Sequence, residues 1–272
     1  MNTILVPTDF SDLSGYAFET AVSIARKADA PIHLLHVIEV PDYPEITDIT
    51  VFRLLGTTNV LQEVENKLQD IATSDLCSDL QVSWSVDYDT PYEKIIATAT
   101  EDVFDLVVIG SHGRKGVNRL LLGSTARKVM RYAPCPVLTV REQFACFSPL
   151  DIVFLSDFGD NASQHFSWFR QFASLYGATL HLLKVNTRQH FETSASSWQH
   201  LEQFATKEQL TNYTINIVND NTEEAGVLGF ALEKKAGLVC IGVHDASGFG
   251  HPLRGTLAEH INENTPCPVL QL

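Results

Sequence analysis

The chain repeats itself, and that repeat constrains the fold more than any single motif does. "ILVPTDFSDLSGYAFETAVSIARKADAPIHLLHV" (4–37) aligns with "IVFLSDFGDNASQHFSWFRQFASLYGATLHLLKV" (152–185) at an offset of 148 residues. "FDLVVIGSHG" (104–113) aligns with "AGLVCIGVHD" (236–245) at an offset of 132, and "APCPVLTV" aligns with "TPCPVLQL". The offset changes because the first copy carries "PDYPEITDITVFRLLGTTN" after its second strand, where the second copy holds a shorter polar stretch. A chain of 272 residues suits two domains of ordinary size. They are expected at 1–140 and 150–272, with 141–149 as the linker.

Each copy reads as five strands alternating with four helices. In the first copy the strands are expected at Thr3–Pro7, Ile32–Val37, Gln81–Val86, Leu106–Gly110 and Pro136–Val140. They are short apolar runs without polar alternation, as in parallel strands covered on both faces. Helical patterns such as "SGYAFETAVSIARKA" lie between them. In "TPYEKIIATATE", Thr90 is the expected N-cap, Pro91 the first helical residue and Glu93 the capping-box partner. The fold class is therefore α/β, a doubly wound parallel sheet with helices on both faces in each domain. Ligands in such sheets bind beyond the strand carboxyl ends, near a switch in strand order.

Charge removes one class of function. The net charge is −14, and residues 1–141 and 142–272 carry −7 each. Phosphate backbones repel such a chain, so nucleic acid is not an expected partner. No apolar run reaches the length of a membrane span, and the N-terminal "MNTILVPTDF" lacks the basic region of a signal peptide. A cytoplasmic protein without a membrane partner is expected. The five cysteines show no CxxC spacing, so neither a disulfide framework nor a zinc ribbon is expected. Cys135 and Cys267, in the "PCPVL" segments, read as small buried apolar residues.

The local exception to the acidic balance is "GSHGRKGVNRLLLGSTARKVM", 110–130, which contains no acid. Gly110, Gly113 and Gly123 fit GxxG, nine residues, then G[ST] ending in Ser124. Glycines let backbone approach a ligand, and successive N–H groups form an anion-binding concavity. A helix expected from Ser124 adds its own free N–H groups. Arg114, Lys115, Arg119, Arg127, Lys128 and Arg131 add a positive field, although Arg119, Lys128 and Arg131 also read as solvated side chains. A phosphate chain suits this arrangement. A glycine-rich turn that only closes a strand–helix connection is the alternative. Neither a Walker P-loop nor GxGxxG occurs here. Asp9, at the end of the first strand, suits a ribose hydroxyl or a divalent cation, or else a turn or helix cap. His112 suits a phosphate or an exposed loop.

These residues carry a resemblance. "GSHGRKGVNRLLLGST" and "APCPVLTV", with both repeats matching over nearly their full length, are similar to tandem universal stress proteins of the ATP-binding branch. The resemblance implies Rossmann-like domains of five parallel strands, pairing of the two domains through their last strands, and ATP, with Mg, at the strand carboxyl ends. It implies that Pro7, Thr8 and Asp9 border the adenosine and that Val37 packs on adenine. Gly110, Ser111, His112, Gly113, Gly123, Ser124 and Thr125 would hold ribose and phosphates, with Arg114 beside them.

The second copy departs from this pattern. Asp245 stands where Gly113 does, which adds a side chain and a negative charge. Thr256 and Glu259 read as a T-x-x-E capping box, in which Glu259, aligned with Arg127, supplies the anion that phosphate would otherwise supply. The second domain is therefore expected not to bind ATP in the standard way. It holds seven of the ten histidines, and His244, Asp245 and His251 raise a metal or another small ligand as an alternative. No catalytic constellation stands out: HxGH, SGGxDS and Walker motifs are missing. The expected function is ATP binding in stress-response regulation, with slow ATP hydrolysis as the upper limit of activity. A pairing scaffold without ATP is the alternative. Association of two chains into a homodimer is left open.

Overall fold

The computed structural model describes all residues except 40–56, 102, 112–121, 145, 157, 159–165 and 243–251; for 57–59 and 252–256 it describes the backbone only. Strands β1 (Thr3–Pro7), β2 (Ile32–Glu39), β3 (Val82–Asp89), β4 (Phe104–Gly110) and β5 (Val137–Val140) form the first half. Strands β6 (Asp151–Leu155), β7 (Thr179–Asn186), β8 (Tyr213–Asn219), β9 (Leu238–Ile241) and β10 (Val269–Gln271) form the second. The helices of the first half are α1 (Asp12–Ala28), α2 (Thr57–Ala72), α3 (Pro91–Ala99) and α4 (Ser124–Tyr132). Those of the second are α5 (Phe166–Ser174), α6 (Ser194–Lys207), α7 (Glu223–Lys234) and α8 (Pro252–Asn264).

All ten strands join one sheet in the order β3-β2-β1-β4-β5-β10-β9-β6-β7-β8. Within each half every pairing is parallel, and the halves meet through the antiparallel pair β5–β10. Two tandem Rossmann-like α/β domains thus share one continuous sheet.

Alternate side chains of each strand feed opposite faces. Ile4 and Val6 join a core with α1, α2, α5 and α6. Leu5 joins the other core, with α3, α4, α7 and α8. Both cores run across both halves: Leu138 and Leu270 lie in one, Val137 and Val269 in the other. The outermost strands differ from the buried interior type. β3 and β8 are half-exposed because each has one neighbour, and their "VSWSVDYD" and "YTINIVN" alternate accordingly.

One helix start departs from the sequence expectation. Thr90 is the N-cap of α3 and Pro91 follows it, but the Thr90 hydroxyl makes no cap bond. Glu93 instead accepts from the Tyr92 hydroxyl at 2.6 Å, so no capping box forms. Thr222, its repeat partner, does cap: it accepts from Ala225 N at 3.1 Å.

Candidate nucleotide site

β1 lies at the centre of the first half, between β2 and β4, where the strand order reverses. Pro7 ends β1, and the chain then turns sharply, with Phe10 at φ 61°. That left-handed conformation is unfavourable for an aromatic residue, and side chains hold it in place. Thr8 is buried. Its Oγ1 accepts from Phe10 N and donates to Ser14 Oγ, each at 3.1 Å. Asp9 Oδ1 accepts from Ser11 N at 3.1 Å and from Ser11 Oγ at 2.6 Å. Ser11 then caps α1, accepting from Ser14 N. Asp9 thus fixes the entry to α1 while standing at the strand end.

Two residues that sequence reasoning passed over complete this corner. His36 Nδ1 lies 2.7 Å from the Thr8 carbonyl. A carbonyl can only accept, so Nδ1 carries the proton. The Phe10 ring packs on the imidazole, with centroids 4.6 Å apart. Their only sequence signal was adjacency to Asp9 and Val37. Val37 follows on β2, partly exposed.

β4 delivers Gly110 and Ser111 beside this turn. A Cβ on Gly110 would come within 2.9 Å of the Leu13 carbonyl carbon and oxygen. Close packing of α1 on β4 therefore requires glycine there. Ser111 is fully buried, and its N–H bonds to Val140 O at 2.8 Å. Its carbonyl accepts from Gly123 N at 2.7 Å, so the loop is closed at its two ends. His112, Gly113 and Arg114 lie between those ends, outside the described residues. Gly123 is the N-cap of α4. Ser124 is exposed, Thr125 is partly buried, and the first turn holds no acid. The N–H groups at the start of α4 therefore meet no carboxylate from their own turn.

The described basic residues of the motif already have protein partners. Lys128 Nζ sits 3.8 Å from the Tyr92 ring centroid. Arg127 Nε lies 3.1 Å from Glu259 Oε2, without hydrogen-bond alignment, and Arg127 Nη2 lies 3.6 Å from Glu263 Oε1. Arg131 Nη2 bonds to Glu259 Oε1 at 3.0 Å rather than being merely solvated. Glu263 Oε1 also accepts from Leu122 N at 3.1 Å. These carboxylates come from α8 of the second half. The capping-box reading of Glu259 is thereby corrected. α8 begins at Pro252, four residues before Thr256, and the Glu259 carboxylate reaches across to the first half.

The second half builds the same corner differently. Ser156 Oγ accepts from Phe158 N at 3.2 Å, and Phe158 takes φ 56°. Lys184 replaces His36 and pairs with Glu192 at 3.4 Å. Val185 is buried where Val37 is partly exposed. Asp245, His244 and His251 lie outside the described residues, among which no group of three or more His, Cys, Asp or Glu could hold a metal. Cys267 is buried as expected, whereas Cys135 is only partly buried. Desolvation pushes the Cys135 thiol up to about 12 and raises Cys267 as well, so both stay protonated.

A family model for the universal stress protein family matches residues 1–141. The chain belongs to that family. Universal stress protein MJ0531 of Methanocaldococcus jannaschii is 30% identical over 145 residues, covering 51% of this chain and 81% of that protein. Universal stress protein MJ0577 of the same organism is 28% identical over 156 residues, covering 52% and 94%. A universal stress protein structure from Archaeoglobus fulgidus superposes on 99% of this chain and 95% of its own, with a TM-score of 0.74 at 19% identity. That likeness extends the universal stress protein fold over both halves. Among the described residues, no helix is long and apolar enough to cross a membrane.

Proposed function

We propose that the chain binds ATP, with magnesium, in its first domain and serves as a nucleotide-dependent regulator in the cytoplasmic stress response. Pro7, Thr8 and Asp9 border the adenosine in this reading, and Val37 packs on adenine. Gly110, Ser111, His112, Gly113, Arg114, Gly123, Ser124 and Thr125 hold ribose and phosphates. Magnesium prefers phosphate oxygens and one or two carboxylates, and Asp9 is the carboxylate offered. The domains run over 1–140 and 150–272, joined by 141–149.

One observation carries the reading. The glycine-rich loop is closed by the Ser111–Gly123 bond and leads directly into a helix N-terminus with no acid in its first turn. Such an end favours a phosphate chain. The second domain has a different role here, pairing with the first. The β5–β10 junction and the carboxylates of α8 favour that role.

The test is nucleotide content. The purified chain is denatured and released adenine nucleotide is counted, for wild type and Gly113→Asp. Close to one ATP per chain, lost in the variant, is expected. Two per chain would mean that the second domain also binds. None, with no uptake of added Mg–ATP, would leave the pairing scaffold as the function.

A further inference from the structure

The ion pairs between α4 and α8 sit on the symmetry element that relates the two domains. The repeat offset of 132 residues makes Leu138 equivalent to Leu270. In the β5–β10 ladder those two residues face each other. Their neighbours exchange roles: Thr139 faces Val269, and Val137 faces Gln271, which is equivalent to Thr139. A pseudo-twofold axis therefore passes through the Leu138–Leu270 pair.

The same offset makes Arg127 equivalent to Glu259 and Arg131 equivalent to Glu263. Arg127 meets Glu259 at 3.1 Å, a position facing its own equivalent. On either side, Arg127 lies 3.6 Å from Glu263 and Arg131 lies 3.0 Å from Glu259. Exchanging the domains converts one of these flanking contacts into the other. One helix thus presents arginine at both positions and the other glutamate at both.

We infer that these four residues form a pairing code, which selects docking of a first domain on a second domain and rejects docking of either on a copy of itself. Two first domains related by the same twofold would bring Arg127 against Arg127 and Arg131. Two second domains would bring Glu259 against Glu259 and Glu263. Screening would do little for the glutamate clash, because Glu259 is only 8% exposed, whereas the arginines, at 42% and 33% side-chain exposure, would repel less strongly. The polar contacts next to the axis are one-sided in the same sense. Asn262 donates to Thr139 Oγ1, and Arg141 donates to the Asn262 carbonyl. The equivalent of Asn262 is Met130, which has no donor to offer a second first domain. Strand pairing alone is indifferent to which domains meet, since backbone groups look alike in both. The side chains of α4 and α8 supply the discrimination.

The inference stands apart from nucleotide binding and is tested without it, on the full chain. Four forms are compared by thermal unfolding: wild type, Arg127→Glu with Arg131→Glu, Glu259→Arg with Glu263→Arg, and all four changes together. Each reversed pair is expected to lower Tm by about 5 °C or more, and the fourfold exchange to regain most of that loss. Mixing the two reversed forms during refolding is expected to give a two-chain complex, because each supplies the charge the other lacks. Reversed forms as stable as wild type, or a fourfold form no better than the reversed ones, would overturn the code. Should the reversed forms fail to fold, glutamine replacements decide. Arg127→Gln with Arg131→Gln, and Glu259→Gln with Glu263→Gln, must each destabilise, and together must cost less than their sum. Strict additivity would overturn the code as well.

Discussion

The turn after β1 and the turn after β6 are one device built twice. Phe10 and Phe158 both take positive φ, at 61° and 56°, and each has its N–H bonded to a hydroxyl two residues back. What surrounds them differs. His36 on Thr8 O faces the first turn, whereas at the second its place is taken by Lys184, paired with Glu192. Val37 is partly exposed; Val185 is buried. The strained turn is present in both halves, so it does not by itself mark a ligand site. The side chains around it are what differ between the halves.

Equivalent positions can be changed in pairs to test how far this division holds. The largest difference is expected at the glycine that ends β4 and the glycine that follows β9. Gly110→Ala places a methyl 2.9 Å from Leu13 backbone, which can yield only by shifting α1. Gly242→Ala meets the tip of the Phe154 ring at the same distance, and a ring can tilt. The first substitution should cost about 1–3 kcal/mol and the second less, in urea unfolding. Equal costs would show that the two α/β contacts are equally rigid.

A smaller contrast is expected at the helix caps. Thr222→Ala removes a bond to Ala225 N and should cost about 1 kcal/mol. Thr90→Ala removes no cap bond and should be close to neutral. Unfolding midpoints of the two variants check this directly, and a comparable loss at Thr90 would refute the geometry of α3.

The smallest effect concerns a histidine near the start of β2. His33 lies between Ser83 and Ser85 at 2.9 and 2.8 Å, and burial lowers its pKa below the ordinary 6.5. Its counterpart His181 bonds Thr214 and also Asp151. At His33 the unfolded chain takes up a proton more readily than the folded one. The His33 contribution to stability is therefore complete above 6.5 and declines as pH falls through that value toward the lower folded pKa. His33→Gln should flatten this part of the stability profile, measured by urea midpoints above and below 6.5. An unchanged slope would assign it to other groups.

Much of the fold was legible because its signals are local. Strand positions followed from apolar runs, and the start of α4 at Ser124 followed from glycine and serine at a cap. Two readings failed where a side chain had more than one partner within reach. Thr90-x-x-Glu93 has capping-box spacing, but the Tyr92 hydroxyl takes the Glu93 carboxylate. Thr256-x-x-Glu259 has it too, but α8 already runs through both residues, and Glu259 answers two arginines of the other domain.

The sequence by itself determined that this chain is an α/β repeat, where its strands lie, and that its one acid-free glycine loop sits at a strand carboxyl end. Periodicity, composition and offset are properties of the chain as written, so they do not depend on how it folds. The tertiary structure decided which carboxylates stand beside the helix that follows that loop. Glu259 and Glu263 lie more than a hundred residues from Arg127 and Arg131. Only the antiparallel junction of β5 with β10 folds α8 against α4 and turns a repeated position into an ion pair.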